Sequence, residues 1–440
     1  MKEASCPPQV GSLTPPLTVE TLANGGDGLA RHQGRVTFIP HTAVGDVVRC
    51  RIRQSKKDYA RAELVELLET SAQRRTPPCP VAGECGGCQW QHLPYSEQLV
   101  WKERLFRETL SHRCGIPANR MAAILPAPDE WHYRSRAQVK CHVAQGRLLT
   151  GFYRPRSRYV VAMEHCPLLA PELNRLLAQL RSALDGSRYA RSIPQIDLAS
   201  DDWGKSAAVV HYIGSQSAAL SRHLRRLDLA ADLFVQRERK ADLISVQGDG
   251  CLTLLVDQPN LRLHYRLGGF AQVNLSQNRR LVAKAIRLAD LQGTEQVLDL
   301  YCGMGNFSLP LARRAGRVLG IEEAPKSIAS ARENAQANAI ETVAFSCGNA
   351  EQAFAEQRAG QKIDLVVLDP PRSGAYPLIK QLLENPVPRV LYVSCNPQTL
   401  ARDLQPLVYG GYEPVSVQPV DMFPQTAHCE SLTLLQRPDR

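Results

Sequence analysis

From about residue 270 onward, short apolar segments alternate with segments of helical pattern, and this alternation restricts the fold more than any other feature of the sequence. Strands that alternate with helices assemble into a largely parallel, doubly wound sheet. Such sheets bind ligands beyond the carboxyl ends of their strands, so the residues that follow each strand are the first candidates for function. The five expected strands are 297–300, 317–321, 343–346, 363–368 and 390–394.

A glycine-containing turn, 299–307, leaves the first of these strands and opens a helix, an arrangement that lets backbone approach a ligand. The third glycine of the dinucleotide fingerprint is missing, because Ser308 stands in its place, and the acidic Asp299 precedes the turn. Glu322 ends the second strand, where an acid commonly binds ribose hydroxyls, and Asn349 follows the third, where an adenine edge would lie. These features favour S-adenosylmethionine, whose ammonium and sulfonium groups suit carboxylates, over a nicotinamide cofactor.

Cys395 directly follows the fifth strand, beside a helix that opens near Pro397. A helix N-terminus lowers the pKa of a nearby thiol, so this position favours a nucleophile over the alternative of a small buried apolar side chain. A thiolate that adds to C6 of a pyrimidine makes C5 nucleophilic toward a methyl donor, and a base must then remove the C5 proton. Glu430, immediately before the last expected strand, is the candidate base, although an isolated acid there is more often a solvated loop residue.

The net charge is +10, and nearly all of the excess falls before residue 266. It indicates either a polyanionic partner or a solvated basic surface. Short strands with turn residues over 17–70 predict a small β-barrel, and the alternating arginines of 49–53 share one strand face that either binds RNA or blocks edge pairing. The stretch 131–158 interleaves seven cations with aromatic side chains and has no acid, which favours contact with phosphates and unpaired bases over a core role.

Three of the 13 cysteines, Cys79, Cys85 and Cys88, are closely spaced on a glycine-containing segment, and Cys166 is the obvious fourth ligand. Four thiolates suit either zinc or an iron–sulfur cluster. The odd number of cysteines, together with the lack of an apolar leader or an 18-residue apolar stretch, predicts a cytoplasmic protein with reduced thiols and no membrane span.

Five motifs in order resemble those of the RNA (uracil-C5) methyltransferase family. Residues 13–72 look like the TRAM domain of this family, a small oligonucleotide-binding-like barrel, and the front of the chain is similar to the branch that modifies bacterial 23S rRNA. The resemblance therefore spans nearly the whole chain. The motifs lie at 268–274, 298–307, 369–372, 394–397 and 422–430.

By this resemblance, Cys395 is the nucleophile, Glu430 is the general base, and Asp369 is a further catalytic residue that touches the uracil edge. The resemblance also favours a structural [4Fe–4S] cluster over zinc at the four cysteines. The implied cluster ligands are Cys79, Cys85, Cys88 and Cys166. The implied contacts to the methyl donor are Gln272, Tyr301, Asn306, Glu322, Asn349 and Asp369.

The predicted protein is a multidomain α/β enzyme that methylates C5 of a uridine in 23S rRNA through a Cys–C6 adduct, with no obligate protein partner. Three alternatives stay open. The first is a tRNA uracil-C5 methyltransferase, and the second is an amino methyltransferase, in which an aromatic residue would replace Arg372. The third is a non-catalytic RNA-binding iron–sulfur protein, which would bind no methyl donor. The predicted domains are a loose tail (1–12), a TRAM-like barrel (13–72), a central mixed α+β iron–sulfur and RNA-binding domain (73–265) and a Rossmann-like S-adenosylmethionine methyltransferase domain (266–440).

Overall fold

The computed structural model describes residues 8–238 and 241–438, which divide into two compact units. The first unit consists of three stretches that are far apart in the sequence, and the second unit contains the other described residues. These stretches are the residues up to Leu105, Tyr153–Val161 and Phe423–His428.

The amino-terminal part of the first unit is a six-stranded sheet. Its strands are β1 (Leu17–Thr18), β2 (Thr21–Leu22), β3 (Gly28–His32), β4 (Arg35–Ile39), β5 (Val47–Ser55) and β6 (Tyr59–Glu69). They are ordered β1-β5-β6-β4-β3-β2, and all neighbours are antiparallel except β4 and β6. Side chains alternate along β5, so Val48, Cys50 and Ile52 lie in the core while the residues between them face outward.

The prediction of a loose tail over 1–12 is wrong for residues 11 and 12, because these residues form backbone hydrogen bonds with β5. Gly11 N donates to Ile52 O at 2.8 Å, and Ile52 N donates to Ser12 O at 3.0 Å. Strand β5 is longer than its partner β1, which leaves backbone groups that this segment satisfies. The rest of the predicted tail, residues 1–7, lies outside the described residues.

The middle of the chain mixes strands and helices, as predicted. None of the helices within residues 8–238 and 241–438 has the length and apolar character needed to cross a membrane.

Seven of the strands in the middle of the chain form one sheet, and the last two form a hairpin. The elements are α1 (Tyr95–Cys114), β7 (Arg136–Ala144), β8 (Arg147–Tyr153), β9 (Val160–Ala162), α2 (Pro171–Leu184), β10 (Gln195–Ser200), β11 (Ser206–His211), α3 (Ser217–Arg225), β12 (Asp232–Gln236), β13 (Ile244–Gln247), β14 (Cys251–Asp257) and β15 (Leu261–Arg266). The sheet order is β13-β12-β11-β10-β7-β8-β9.

The carboxy-terminal part of the second unit is an α/β sheet that contains all five predicted strands. Its helices are α4 (Leu275–Ala289), α5 (Ser308–Ala312), α6 (Pro325–Ala337), α7 (Ala350–Gly360), α8 (Tyr376–Glu384) and α9 (Pro397–Tyr409). Its strands are β16 (Gln296–Leu300), β17 (Arg317–Glu322), β18 (Val343–Cys347), β19 (Leu365–Leu368), β20 (Arg389–Ser394), β21 (Glu413–Val420) and β22 (Glu430–Gln436).

This sheet has the order β18-β17-β16-β19-β20-β22-β21. The five strands from β18 to β20 run parallel, and β22 runs antiparallel to both of its neighbours. From β16 the chain adds β17 and β18 on one side of the sheet and then crosses to add β19 and β20 on the other side. Open α/β sheets bind ligands at this point, where the strand order reverses between β16 and β19. Both faces of β19 are covered, because all four of its side chains, Leu365–Leu368, are buried, and this packing fixes a strand that delivers a candidate residue to this edge.

The third stretch of the first unit is held by one buried residue, Gln425. Its backbone N donates to Gln98 Oε1 at 2.8 Å, and its side-chain Oε1 accepts from Gln98 Nε2 and from Arg75 Nη2, both at 2.9 Å. Its carbonyl accepts from the backbone of Gln89 and Trp90. Gln425 is fully buried and has a φ of +69°, a strained backbone region for a non-glycine residue. These five bonds join residues more than 300 positions apart into one compact unit.

Candidate active site

Cys395 and Glu430 lie at the same edge of the carboxy-terminal sheet. Strand β20 ends at Ser394, and Cys395 follows it. Strand β22 begins at Glu430 and runs antiparallel to β20, so that Ser394 lies opposite Ser431. The Ser431 hydroxyl donates to the Ser394 carbonyl at 3.2 Å. Glu430 is therefore the first residue of a strand, only 3 % exposed, rather than the loop residue that the sequence predicted.

Asp369 joins this pair because it follows β19, the parallel neighbour of β20. Burial, and to a smaller extent the negative charge of the nearby Asp299, raises the pKa of Asp369 to about 7. Burial also raises the pKa of Glu430 well above its usual value, with Asp369 acting in the same direction and Arg372 opposing it. The edge therefore holds the buried carboxyl of Glu430 and the half-buried carboxyl of Asp369, and both retain protons more strongly than surface acids do.

The pKa of the Cys395 thiol is raised to about 11, chiefly by burial and then by the negative charge of Glu430, while Arg372 lowers it. The lowered pKa that the sequence predicted is therefore wrong. The amino end of α9 is already occupied, because the Asn396 side chain accepts from Gln398 N at 3.0 Å. The effect of this helix end on the thiol pKa does not outweigh desolvation and the neighbouring acids. The free protein consequently carries a neutral thiol at pH 7.

The predicted cofactor turn lies at the reversal of the sheet. Tyr301 and Gly305 both have positive φ, +68° and +95°, so the backbone bends sharply as it leaves β16. Asp299 is fully buried, and its Oδ2 accepts a hydrogen bond from the Ser308 hydroxyl. Within residues 8–238 and 241–438 its Oδ1 has no hydrogen-bond partner. Burial raises the pKa of Asp299 to about 7.

Three of the predicted donor contacts lie around this turn with clear partners. Glu322 accepts a hydrogen bond from Gly303 N at 3.3 Å. Asn306 exchanges two side-chain hydrogen bonds with Asn278 of α4, at 2.8 and 3.1 Å. Asn349 caps α7, since its Oδ1 accepts from two backbone amides at the start of that helix. Each of these side chains therefore has a structural role that fixes its orientation before any ligand arrives.

Gln272, another predicted donor contact, lies in the segment between β15 and α4, which Arg136 holds in place. The Arg136 guanidinium donates to Ala271 O at 2.9 Å and to Gly269 O at 3.0 Å. It also lies 4.9 Å from the centre of the Tyr265 ring. Sequence reasoning missed this role, because it grouped Arg136 with the cations of 131–158 as a phosphate contact, and no local pattern distinguishes the two.

Comparison with known proteins decides the family. Residues 95–438 match the model of the family described as tRNA (Uracil-5-)-methyltransferase. The chain belongs to this family. Residues 13–65 match the TRAM domain, which confirms the predicted assignment of the amino-terminal barrel.

The relatives of this methyltransferase extend over almost its whole length. The 23S rRNA (uracil(1939)-C(5))-methyltransferase RlmD of Shewanella amazonensis is 36% identical, covering 96% of this chain and 95% of the relative. The protein of the same name from Alcanivorax borkumensis is 32% identical over 98% of each chain. The Pyrococcus abyssi tRNA (uracil-54, C5)-methyltransferase, solved in complex with S-adenosyl-L-homocysteine, has a TM-score of 0.75 at 22% identity. It covers 96% of this chain and 99% of its own, which confirms the predicted Rossmann-like methyltransferase fold.

The cysteines predicted to bind a metal do not form a recognisable metal site in the described part of the methyltransferase. Within residues 8–238 and 241–438, no group of three or more His, Cys, Asp or Glu side chains is placed to hold a metal ion. Cys79, Cys85 and Cys88 lie on the segment before α1, where Gly87 N donates to Cys85 Sγ at 3.4 Å. Cys166 lies before α2, and its N–H donates to Asn174 Oδ1 at 2.9 Å. The predicted cluster is not confirmed by this arrangement.

The arginines of β5 face outward together, as the alternation predicted, but two of them are neutralised. Arg49 forms an ion pair with Glu66 at 2.7 Å, and Arg53 donates to Glu63 at 2.6 Å. Both glutamates lie on the adjacent strand β6. This pairing favours a charge-balanced strand surface over a face that binds phosphates.

The stretch 131–158 divides into buried and exposed parts. Tyr133 is only 7 % exposed and belongs to the core, which contradicts a base-stacking role for this ring. Tyr153 and the adjoining Tyr159 are exposed, and the Arg154 guanidinium lies 4.9 Å from the Tyr159 ring centre. The exposed aromatic and basic side chains of this stretch therefore cluster at its carboxyl end.

Proposed function

We propose that this methyltransferase transfers a methyl group from S-adenosylmethionine to C5 of a uridine in 23S rRNA, which gives 5-methyluridine. The observation that carries the proposal is the placement of Cys395, Glu430 and Asp369 at one edge of the sheet, next to the glycine turn at its reversal. Names of relatives that are 32–36% identical over nearly their whole length support ribosomal RNA as the substrate.

In this proposal the Cys395 thiol loses its proton to solvent, the thiolate forms a bond to C6 of the uracil, and the electron pair of the C5–C6 double bond makes C5 nucleophilic. C5 takes the methyl group as the bond between that methyl group and the donor sulfur breaks, and the demethylated donor leaves. Once C5 carries the methyl group, Glu430 accepts the C5 proton as a carboxylate, the C6–S bond breaks and the thiolate leaves. Burial supports this role, because a raised pKa makes the ionised Glu430 a stronger base than a surface glutamate. Asp369 orients the uracil edge beside the thiol.

When bound, S-adenosylmethionine supplies the methyl group. The residues of the turn fit such a molecule, because the buried Asp299 Oδ1 lacks a hydrogen-bond partner among the described residues and the Glu322 carboxylate is fixed beside the turn. Carboxylates suit a ligand with ammonium and sulfonium charges and ribose hydroxyls. The residues proposed to hold it are Gln272, Tyr301, Asn306, Glu322, Asn349 and Asp369.

We also propose that four cysteines hold a [4Fe–4S] cluster that stabilises the protein and takes no part in the methyl transfer. The support is the donor set, since four thiolates are the ligands of such clusters. Anaerobically purified protein should contain about four iron and four acid-labile sulfide per chain, and Cys85→Ser should lower both. One zinc per chain without sulfide, or no metal at all, would contradict the cluster. The proposed ligands are Cys79, Cys85, Cys88 and Cys166.

The test of the main proposal incubates the anaerobically purified protein with S-adenosylmethionine and unmodified 23S rRNA transcript, then analyses the nucleosides by mass spectrometry. 5-Methyluridine should form with the natural protein and be absent with Cys395→Ala. 6-Methyladenine would overturn the cysteine mechanism. The family description and the Pyrococcus abyssi relative both name tRNA, so a parallel reaction uses tRNA. 5-Methyluridine in tRNA alone would keep the chemistry and change the substrate.

A further inference from the structure

Arg372 is the cation among the groups around Cys395, yet its side chain forms no hydrogen bond or ion pair within residues 8–238 and 241–438. It is exposed and lies on the loop between β19 and α8. Its charge lowers the pKa of both the Cys395 thiol and the Glu430 carboxyl, against the combined effect of burial and the acids. The reactivity of the thiol therefore depends on where the backbone of this loop holds Arg372.

The loop is a hydrogen-bonded turn with Arg372 at its corner. Gly374 N donates to Pro371 O at 2.8 Å, which closes the turn around Arg372 and Ser373. The Arg402 guanidinium of α9 donates to Ser373 O at 2.7 Å. The backbone is therefore held both across the turn and immediately after Arg372.

Asp403 of α9 holds the end of the same turn. Its Oδ2 accepts from Ala375 N at 2.7 Å, and its Oδ1 accepts from Arg402 Nε at 2.8 Å. The side chain has 0% exposure, so the carboxylate is removed from water and depends on these donors. Gly374 has a φ of +77°, and a Cβ there would lie 2.4 Å from Asp403 Oδ2. The turn can thus close on the carboxylate only because residue 374 has no side chain.

The same carboxylate is also bonded to the strand that ends at Cys395. The Tyr392 hydroxyl donates to Asp403 Oδ2 at 2.7 Å, and Tyr392 lies three residues before the thiol on β20. Helix α9, which carries Asp403, begins two residues after Cys395. One buried carboxylate therefore connects the strand before the nucleophile, the helix after it and the turn that carries Arg372.

We propose that Asp403 is a positioning residue for the methyl transfer, which holds the Arg372 turn against the Cys395 strand so that the guanidinium faces the thiol. Asp403 itself touches neither the thiol nor the substrate in this role. The inference rests on the proposed function for its meaning, but the geometry it concerns can be measured without any substrate.

The test measures the rate at which iodoacetamide alkylates Cys395 at pH 8, read by mass spectrometry on the tryptic peptide 390–402, in which Cys395 is the sole cysteine. Arg372→Gln should slow alkylation about tenfold, the effect of one unit in the thiol pKa. Asp403→Asn should slow it by a similar factor, because the turn loses an acceptor and Arg372 moves away. In the double variant the rate should fall no further than in Arg372→Gln alone, since the two changes act through one interaction.

Asp364→Asn is the matched control, because Asp364 is a partly buried acid that directly precedes β19, at the opposite end of that strand from Asp369, and accepts from Gln296 N at 2.9 Å. It should alkylate at the natural rate. If Asp403→Asn fails to fold, Arg402→Gln removes the bond to Ser373 O together with the Arg402–Asp403 pair and should still slow alkylation, again without a further effect beyond Arg372→Gln. This variant lacks the tryptic site at 402, so fragment ions of the longer peptide, which separate Cys395 from Cys429, give its alkylation rate. Natural rates in both Asp403→Asn and Arg402→Gln, or additive effects in the double variant, would overturn the proposal.

Methylation assays then separate positioning from general damage. Asp403→Asn should lower kcat about tenfold while KM for S-adenosylmethionine and for RNA stays within about twofold, as expected for an interaction that acts on the chemical step. An increase in KM with unchanged kcat would contradict a positioning role. If the natural protein produces no 5-methyluridine, the proposed function fails, but the alkylation rates still decide the role of Asp403.

Discussion

Charged side chains are balanced on one surface of the molecule and unbalanced on another. The first is the outward face of β5 and β6, and the second is the edge of the carboxy-terminal sheet at Cys395. On the barrel, Arg49 and Arg53 each face a glutamate of the next strand, and all four side chains are about half exposed. At the sheet edge, the Glu430 carboxyl is buried and the Cys395 thiol is half-buried, and the positive charge of Arg372 acts on both. Solvent screens the exposed pairs, whereas burial without enough counter-charge raises the pKa of an acid. The comparison shows that the groups with shifted pKa values are those for which the fold supplies too little opposite charge.

The largest expected effect comes from removing the thiol at the unbalanced edge. Cys395→Ala should lower 5-methyluridine formation by at least about 10⁴-fold, since loss of a nucleophile removes the covalent step. RNA binding, measured by filter retention, should stay within about twofold, because phosphate contacts dominate affinity. Cys347→Ala, at an exposed thiol of the same unit, is the control and should retain full activity. A Cys395→Ala protein with a tenth of the natural rate would remove the thiol from the reaction.

The next effect concerns the base. Glu430→Gln keeps the size of the buried side chain but cannot accept a proton, so turnover should fall about 10²- to 10⁴-fold. One methyl group should still be transferred, and a covalent protein–RNA adduct should accumulate on denaturing gels. Normal turnover, or slow turnover without any adduct, would assign the proton transfer to another group.

The third effect is the pH dependence of the thiol. With the pKa of Cys395 raised to about 11, the thiolate fraction rises about tenfold per pH unit up to that value. The alkylation rate at Cys395 should therefore climb about tenfold between pH 8 and 9 and again between pH 9 and 10. A plateau reached by pH 8 would show that the edge is electrostatically balanced, like the barrel face.

The smallest effect is expected on the barrel. Arg49→Ala should change the free energy of unfolding by less than about 1 kcal/mol, because the ion pair with Glu66 is exposed to solvent. Urea denaturation measures this change. The dependence of RNA affinity on salt concentration should be the same as in the natural protein, since Arg49 is already paired. A slope reduced by about one would instead show that Arg49 contacts a phosphate.

Much of the fold could be predicted from the sequence, because the strands of the α/β sheet are short apolar segments that end at recognisable motifs. The positions of Cys395 and Asp369 at strand ends follow from that pattern alone. The pKa of the thiol could not be predicted, because its cause is burial beside Glu430, which is 35 residues away and on an antiparallel strand. The pairing of Arg49 with Glu66 was equally hidden, since it depends on a register shifted by bulges between β5 and β6.

The bonds of Gln425 also have a consequence for how the protein is made. A ribosome delivers the chain from one end, and the barrel strands emerge first, yet the first unit includes residues up to His428. Gln98 and Arg75 therefore have no Gln425 to bond with until the ribosome has synthesised residue 425. A nascent chain stalled before residue 423 carries an incomplete first unit as well as a sheet without its last strand. Both units therefore become complete almost together, once residues 423–436 have been synthesised.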